Sequence, residues 1–186
     1  FKYAQIWTNG KGYDRFHPLL AKSDAFHSLT TFLNEDGIPK QIITDGAKEL
    51  HLAEWGKICK KMSIYQSATI PYSPWQNKAE SSVRELKKKV RTMMRKTGSP
   101  KRLWCYCGEL AAALRRLTAS QQFDLQGRTP YEHVHGSTPD ISAYALFSWY
   151  EPVFYLDPAS SFPEEKKDVG LWLGIEESCV DIMAHR

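Results

Sequence analysis

The stretch Thr69-Ile70-Pro71-Tyr72-Ser73-Pro74-Trp75-Gln76-Asn77-Lys78-Ala79-Glu80 leads from the end of a strand pattern into a long helical one. Pro71 and Pro74 exclude a helix interior before Gln76, because proline lacks a backbone N–H and its ring clashes with the preceding turn. Beyond Asn77 the pattern changes. At about 100° per residue, Ala79, Val83, Leu86, Val90, Met93 and Met94 fall on one stripe, which predicts a helix over 77–97. Glu80 lies at the edge of that stripe. Behind it Arg84, Lys87, Lys88, Arg91 and Arg95 recur at i+4, i+7, i+8, i+11 and i+15. One carboxylate thus heads a row of cations beside a buried face. Taken alone, such a row is an ordinary solvated, salt-bridged helix surface.

Working upstream, residues 63–69 read as a strand, and a helix from about Lys48 carries Leu52, Trp55, Cys59 and Met62 on one face. Before it, Gln41 to Thr44 forms a short buried strand that runs into Asp45-Gly46. Ser23 is a candidate cap for a helix whose stripe is Phe26, Leu29, Phe32 and Leu33, ended by Gly37. Residues 3–8 and 13–20 read as two strands joined by the turn Asn9-Gly10-Lys11-Gly12, with Pro18 placing the second at an edge. The four strands are expected to join one mixed sheet flanked by helices.

Downstream, Ser99-Pro100 opens a helix over 100–119 with Leu103, Cys107, Leu110, Leu114 and Leu117 inward. Thr129-Pro130-Tyr131-Glu132 fits a capping box, and Gly136 ends that short helix. The tail is β-like at 149–156 and 170–175, with proline-rich connections. A boundary near 137 divides a core, 1–136, from a β-rich appendage, 137–186, expected to pack loosely.

The composition, 42% hydrophobic and 25% charged, is that of a folded chain. No apolar run is long enough to span a bilayer, so no membrane partner is expected. Phe1-Lys2-Tyr3-Ala4-Gln5-Ile6-Trp7 lacks the pattern of a signal peptide and reads as a strand already in progress, the mark of a fragment. Net charge is only +4, but Lys87 to Arg102 holds many cations and no acid, whereas 136–186 is mildly acidic. Cys59, Cys105, Cys107 and Cys179 form no C-x-x-C pair and are read as free thiols. His133 and His135 have no further ligand at metal-binding spacing.

Asp45 gives the cationic helix a second interpretation. It stands at the end of a short apolar strand, where α/β sheets expose functional groups. An aspartate in a turn is also common. Two carboxylates such as Asp45 and Glu80 could share divalent metals, activating an attacking oxygen and stabilising a leaving one at a phosphodiester. The row of cations would then hold phosphates.

Ile43-Thr44-Asp45-Gly46 and Thr69 to Glu80 together resemble the second aspartate and the glutamate motif of the integrases of retroviruses and LTR retrotransposons. Their core motif is written D,D-35-E, and 34 residues stand between Asp45 and Glu80. The resemblance continues at Trp104, at Thr129 to Glu132 and at Gly136-Ser137-Thr138-Pro139-Asp140, like the segment after the core in copia-type elements. It implies an RNase H-like fold and a partial post-core segment of SH3-like kind. The implied activity is that of a polynucleotidyl transferase and endonuclease, with 3′-end processing and strand transfer of retroelement DNA dependent on Mg²⁺ or Mn²⁺. Asp45 and Glu80 match the family's catalytic metal ligands. Gln76 matches a loop residue that touches DNA, and Arg84 and Lys87 match basic positions that hold the DNA end; Lys88 and Arg91 extend that row.

The resemblance further implies a homo-oligomer in the full-length protein and release from a polyprotein. Nuclear action would follow residence in a cytoplasmic particle. Gly46-Ala47-Lys48 and Lys78 depart from the family's usual glycine pattern. The family's first aspartate has no match: Asp14, Asp24 and Asp36 do not fit, which places the first strand upstream of Phe1. The competing reading is a decayed or domesticated element that binds nucleic acid without catalysis.

Overall fold

The computed structural model describes residues 1–44, 53–69, 78–157, 159–161, 163, 165–177 and 185–186. The chain begins with an antiparallel hairpin of β1 (Tyr3–Thr8) and β2 (Asp14–Leu19), in which Ile6 faces Phe16 and Thr8 faces Asp14. A 3-10 turn over Lys22–Asp24 leads into α1 (Ala25–Asp36). The entry is fixed by Asp24, whose carboxylate accepts the Ala21 N–H at 2.9 Å, and not by Ser23 as the sequence pattern implied. Gly37 closes α1 at φ 86°, a conformation that favours glycine, with its N–H on the Leu33 carbonyl.

Next come β3 (Gln41–Thr44), α2 (Ala53–Lys61) and β4 (Tyr65–Ala68), with β3 and β4 parallel. Two long helices follow, α3 (Lys78–Thr97) and α4 (Trp104–Leu117). Two short ones, α5 (Pro130–His135) and α6 (Ser142–Ala145), precede a hairpin of β5 (Pro152–Leu156) and β6 (Lys167–Leu171). The Thr129 hydroxyl accepts the Glu132 N–H at 2.9 Å, the cap that its sequence foretells.

The expected single sheet is corrected here. Among the described residues β1 pairs only with β2, and β3 only with β4, as two separate two-stranded ladders. The ladders are held together by helices instead of strand-to-strand hydrogen bonds. Trp7 of β1 and Ile42 of β3 bury into one cluster with Ala25 and Leu29 of α1 and Trp55 and Cys59 of α2. The Trp7 indole lies flat against Phe32 at 4.5 Å and nearly parallel to Trp55 at 5.6 Å. Its N–H donates to the Ser28 hydroxyl at 2.9 Å. β3 is also not buried on both faces: Ile42 and Thr44 point in, whereas Gln41 and Ile43 are exposed.

The other face of the β1–β2 hairpin meets α3 and α4. Alternation along the strand turns Ala4 and Ile6 away from Trp7, and they pack with Phe16, Leu86, Ala111 and Ala112. The tail does not pack loosely. Trp149 and Trp172 are buried with Cys107 and Leu110 of α4, and the Trp149 indole donates to the Ser99 hydroxyl at 3.0 Å.

Candidate metal and nucleic-acid face

The first turn of α3 is pinned to the end of the β1–β2 hairpin by several contacts. Thr8 and Ser82 share a hydrogen bond between their hydroxyls at 3.1 Å. The Thr8 oxygen also accepts the Gly10 N–H at 3.1 Å. Gly10 sits at φ 73°, and the Lys78 side chain crosses it so closely that a Cβ there would lie 2.5 Å from Lys78 Cδ. From the neighbouring helix, Arg115 donates to the Ser82 carbonyl at 3.3 Å and lies 2.8 Å from the carboxylate of Asp14. That second contact is an ion pair without hydrogen-bond alignment, so the fully buried Asp14 carboxylate depends on Coulomb attraction to one guanidinium. Burial first, and the Arg115 charge second, lower the pKa of Lys89 on the same side.

Glu80 stands in this pinned turn and is exposed. Arg84, Lys87, Lys88, Arg91 and Arg95 follow it, all exposed, along a helix whose opposite side buries Leu86 and, in part, Val90, Met93 and Met94. None of the five cations makes an ion pair among the described residues. Asp45 and Gln76 lie outside the described residues. β3 ends at Thr44, immediately before Asp45. Because β3 and β4 are parallel, Thr44 and Ala68 sit at the same end of their ladder, where the Thr69 N–H donates to the Thr44 carbonyl at 2.8 Å.

The three acids that the sequence offered before Asp45 are all engaged elsewhere. Asp14 faces Arg115, and Asp24 caps the turn before α1. Asp36 accepts two hydrogen bonds from Arg15 Nε, at 2.8 and 3.1 Å, a third from Arg15 Nη2 and a short one from the Tyr13 hydroxyl. Among the described residues no group of three His, Cys, Asp or Glu could hold a metal ion.

Asp36 belongs to an ionic cluster that the sequence pattern did not reveal. Arg15 also reaches Glu177 at 2.6 Å, Arg116 donates twice to Glu177 at 2.7 and 2.9 Å, and the Tyr144 hydroxyl makes a short bond to the same carboxylate. Burial alone would raise the Glu177 pKa; Arg116, Tyr144 and Arg15 outweigh it and leave the carboxyl below its usual range. Arg186 pairs in turn with Glu176 and Glu109. A cavity of about 90 Å³ lies among these groups, lined by Arg15, Glu35, Glu109, Arg116, Glu177 and Arg186. Neither Glu80 nor the cation row lines it.

No family model and no curated protein matches the sequence. Solved structures do. A chain of the simian T-cell lymphotropic virus intasome in complex with PP2A regulatory subunit B56 gamma aligns with TM-score 0.56 and 18% identity, over 91% of this chain and 60% of that one. The catalytic core domain of BIV integrase aligns with TM-score 0.50 and 19% identity, over 72% of this chain and 87% of that one. The HTLV-2 integrase catalytic core domain, in a trimeric form with magnesium, aligns with TM-score 0.56 and 14% identity, over 73% of this chain and 90% of that one.

The chain has the fold of a retroviral integrase catalytic core. It spans 60% of the length of the simian-virus chain it matches. Among the described residues no helix is long and apolar enough to cross a membrane.

Proposed function

We propose that this chain is part of a DNA integrase of the LTR-retroelement kind, a polynucleotidyl transferase that processes and joins DNA ends. The observation that carries the proposal is the face of α3. One exposed glutamate is held in a pinned first turn, and five exposed cations follow it on a fold shared with integrase cores. Asp45 and Glu80 would hold Mg²⁺ or Mn²⁺, since carboxylate oxygens suit hard divalent ions. The bound metal would activate the attacking oxygen and stabilise the leaving one. Arg84, Lys87, Lys88 and Arg91 would hold the phosphates of a retroelement end, with Gln76 touching DNA ahead of them.

Two carboxylates make an incomplete site for an ion that demands near-octahedral geometry. The third would come from a strand pairing between β1 and β3, whose two ladders share no strand among the described residues. The copia-type affinity, the polyprotein origin, the nuclear site of action and homo-oligomeric assembly belong to the same proposal.

Salt dependence of DNA binding tests it. Each phosphate contact contributes about 0.9 to the slope of log affinity against log salt, so the four phosphate-holding cations predict a loss of roughly 150-fold between 50 and 200 mM salt. Arg84→Ala with Lys87→Ala should cut this to about 12-fold, for any DNA sequence. Equal affinity and an unchanged slope in that double variant would reduce the row to solvation.

A further inference from the structure

The loop after α4 returns to the end of α3 that carries Glu80. Cys107 Sγ donates to the Val90 carbonyl at 3.9 Å, whereas Arg115, later on α4, donates to the carbonyl of Ser82, earlier on α3, at 3.3 Å. The two helices are therefore antiparallel, and residues 118–129 leave α4 beside the first turn of α3. The β1–β2 turn bridges the remaining gap. Gly10 lies under the Lys78 side chain, and a Cβ at Gly12 would stand 3.2 Å from Pro130 Cγ. Between them Lys11 Nζ lies 4.0 Å from the Asp124 carboxylate and donates to His133 Nε2 at 3.3 Å.

In this loop a 3-10 turn over Phe123–Leu125 holds one aromatic ring out. Leu125 is fully buried beneath it. The Leu125 N–H donates to the Gln122 carbonyl at 3.0 Å, the Gln126 N–H to the Phe123 carbonyl at 3.2 Å and the Arg128 N–H to the Leu125 carbonyl at 2.9 Å. The backbone is thus fixed, while Phe123 is 92% exposed. A ring on a fixed turn loses little freedom when a ligand meets it.

A lone exposed aromatic is common on protein surfaces, and here its surroundings decide what it fits. A protein partner needs a contiguous patch with an apolar centre. Phe123 instead stands among Gln121, Gln122, Asp124, Gln126 and Arg128, all exposed and polar. A nucleobase needs one aromatic face to stack on and cations nearby for its phosphates. The glutamine amides add donors and acceptors for base edges. Asp124, the acid of this loop, is turned to Lys11, and Lys78 and Arg128 are exposed.

We propose that Phe123 is a stacking site for an unpaired base, on a DNA strand that leaves the duplex beside Glu80, with Lys78 and Arg128 near its phosphates. The site rests on the reading of α3 as a DNA-binding face and extends that face across the β1–β2 turn. It is separate from the cation row, because it recognises a base that has left its partner and not the duplex backbone.

The test is fluorescence anisotropy of the 186-residue chain on DNAs that share one duplex. One DNA is blunt, and the others carry an unpaired extension of about five nucleotides on the 3′ or the 5′ strand, within the span of such single-strand sites. The chain should bind at least one extended DNA more tightly than the blunt one. Phe123→Ala should weaken that binding about fivefold or more, the scale of one base–aromatic stack. It should leave the blunt DNA, the salt slope and the circular dichroism spectrum unchanged, since the ring is uncharged and exposed. Phe123→Tyr should retain the preference, and Phe123→Leu, which keeps apolar bulk without a π-face, should lose it. Binding of extended DNA that survives Phe123→Ala, a loss equal on blunt and extended DNA, or a leucine variant that behaves like the unaltered chain overturns the stacking site. In all three cases the cation row and its salt slope stand, whereas a chain that binds no DNA removes both readings.

Discussion

Two glycines in helix interiors should respond to the same substitution with opposite signs. Gly56 lies in α2 with nothing within 4 Å of where a Cβ would stand, and Gly108 lies in α4 against the ring of Phe16. Helix propensity favours alanine over glycine by about 1 kcal/mol at either site, largely through the unfolded chain. At Gly56 nothing opposes that gain. At Gly108 a Cβ would sit 2.5 Å from Phe16 Cζ and 2.7 Å from Cε1 and Cε2, about 1 Å inside van der Waals contact. Those atoms are the far end of a side chain, which could turn aside in open space. Here the ring is buried, set edge-on to Trp104 at 5.9 Å and packed on Leu86, Ala111 and Ala112. Helix α4 must therefore shift from the hairpin, at an overpacking cost of about 1–3 kcal/mol.

The net expectation is a gain of about 1 kcal/mol for Gly56→Ala and a loss of about 1 kcal/mol for Gly108→Ala. In urea, with a slope near 2 kcal/mol/M, each is a midpoint shift of roughly 0.5 M, in opposite directions. Phe16→Leu removes the obstructing ring atoms, so in that background Gly108→Ala should become neutral or stabilising. A stabilising Gly108→Ala in the unaltered protein would refute the packing of α4 on β2, and with it the platform beneath α3.

Other consequences can be measured on the same material. Leu29 is fully buried in the cluster that joins the two ladders, so Leu29→Ala should cost about 3 kcal/mol in urea unfolding. The Cys107 thiol, pushed up to about 12 by burial, should resist iodoacetamide at pH 8 in the folded chain and react on unfolding, as peptide mass spectrometry would show. Glu177 has a lowered pKa when folded, so its contribution is present above the unfolded carboxyl value of about 4.3 and is lost as pH falls below it. Stability should therefore drop more steeply below about pH 4.5 in the unaltered protein than in Glu177→Gln; equal slopes would show that the clasp adds nothing.

The helices were legible in the sequence because apolar spacing is a local signal. Leu86, Val90, Met93 and Met94 face inward as the periodicity implies, and Gly37 ends α1 where expected. The β1–β2 hairpin was legible from its Asn9–Gly12 turn, but the partners of its edges were not. Nothing in the residues of β1 or β3 states which further strand each will meet, and among the described residues each pairs within its own ladder. The run Ile42-Ile43 suggested burial on both faces, but alternation leaves Ile43 outside.

The ionic cluster was hidden for the same reason: Arg15 and Glu177 are 162 positions apart, beyond any local spacing. At the candidate site, Glu80 and its cations were read from α3 alone. The Thr8–Ser82 link could have been suspected, since Ser82 interrupts the apolar side of the helix between Ala79 and Leu86. The tail's strands were legible, but its packing was not: no local spacing shows that Trp149 and Trp172 bury against Cys107 and Leu110 of α4.

The central claim is that Glu80 is a catalytic carboxylate of a DNA-joining enzyme. It is tested most directly by strand transfer, using this chain fused behind a strand that carries an aspartate and can pair between β1 and β3. The expected result is Mg²⁺-dependent joining of DNA ends, abolished by Glu80→Gln while DNA binding and its salt slope are retained. Equal joining with glutamine at position 80 would contradict the assignment.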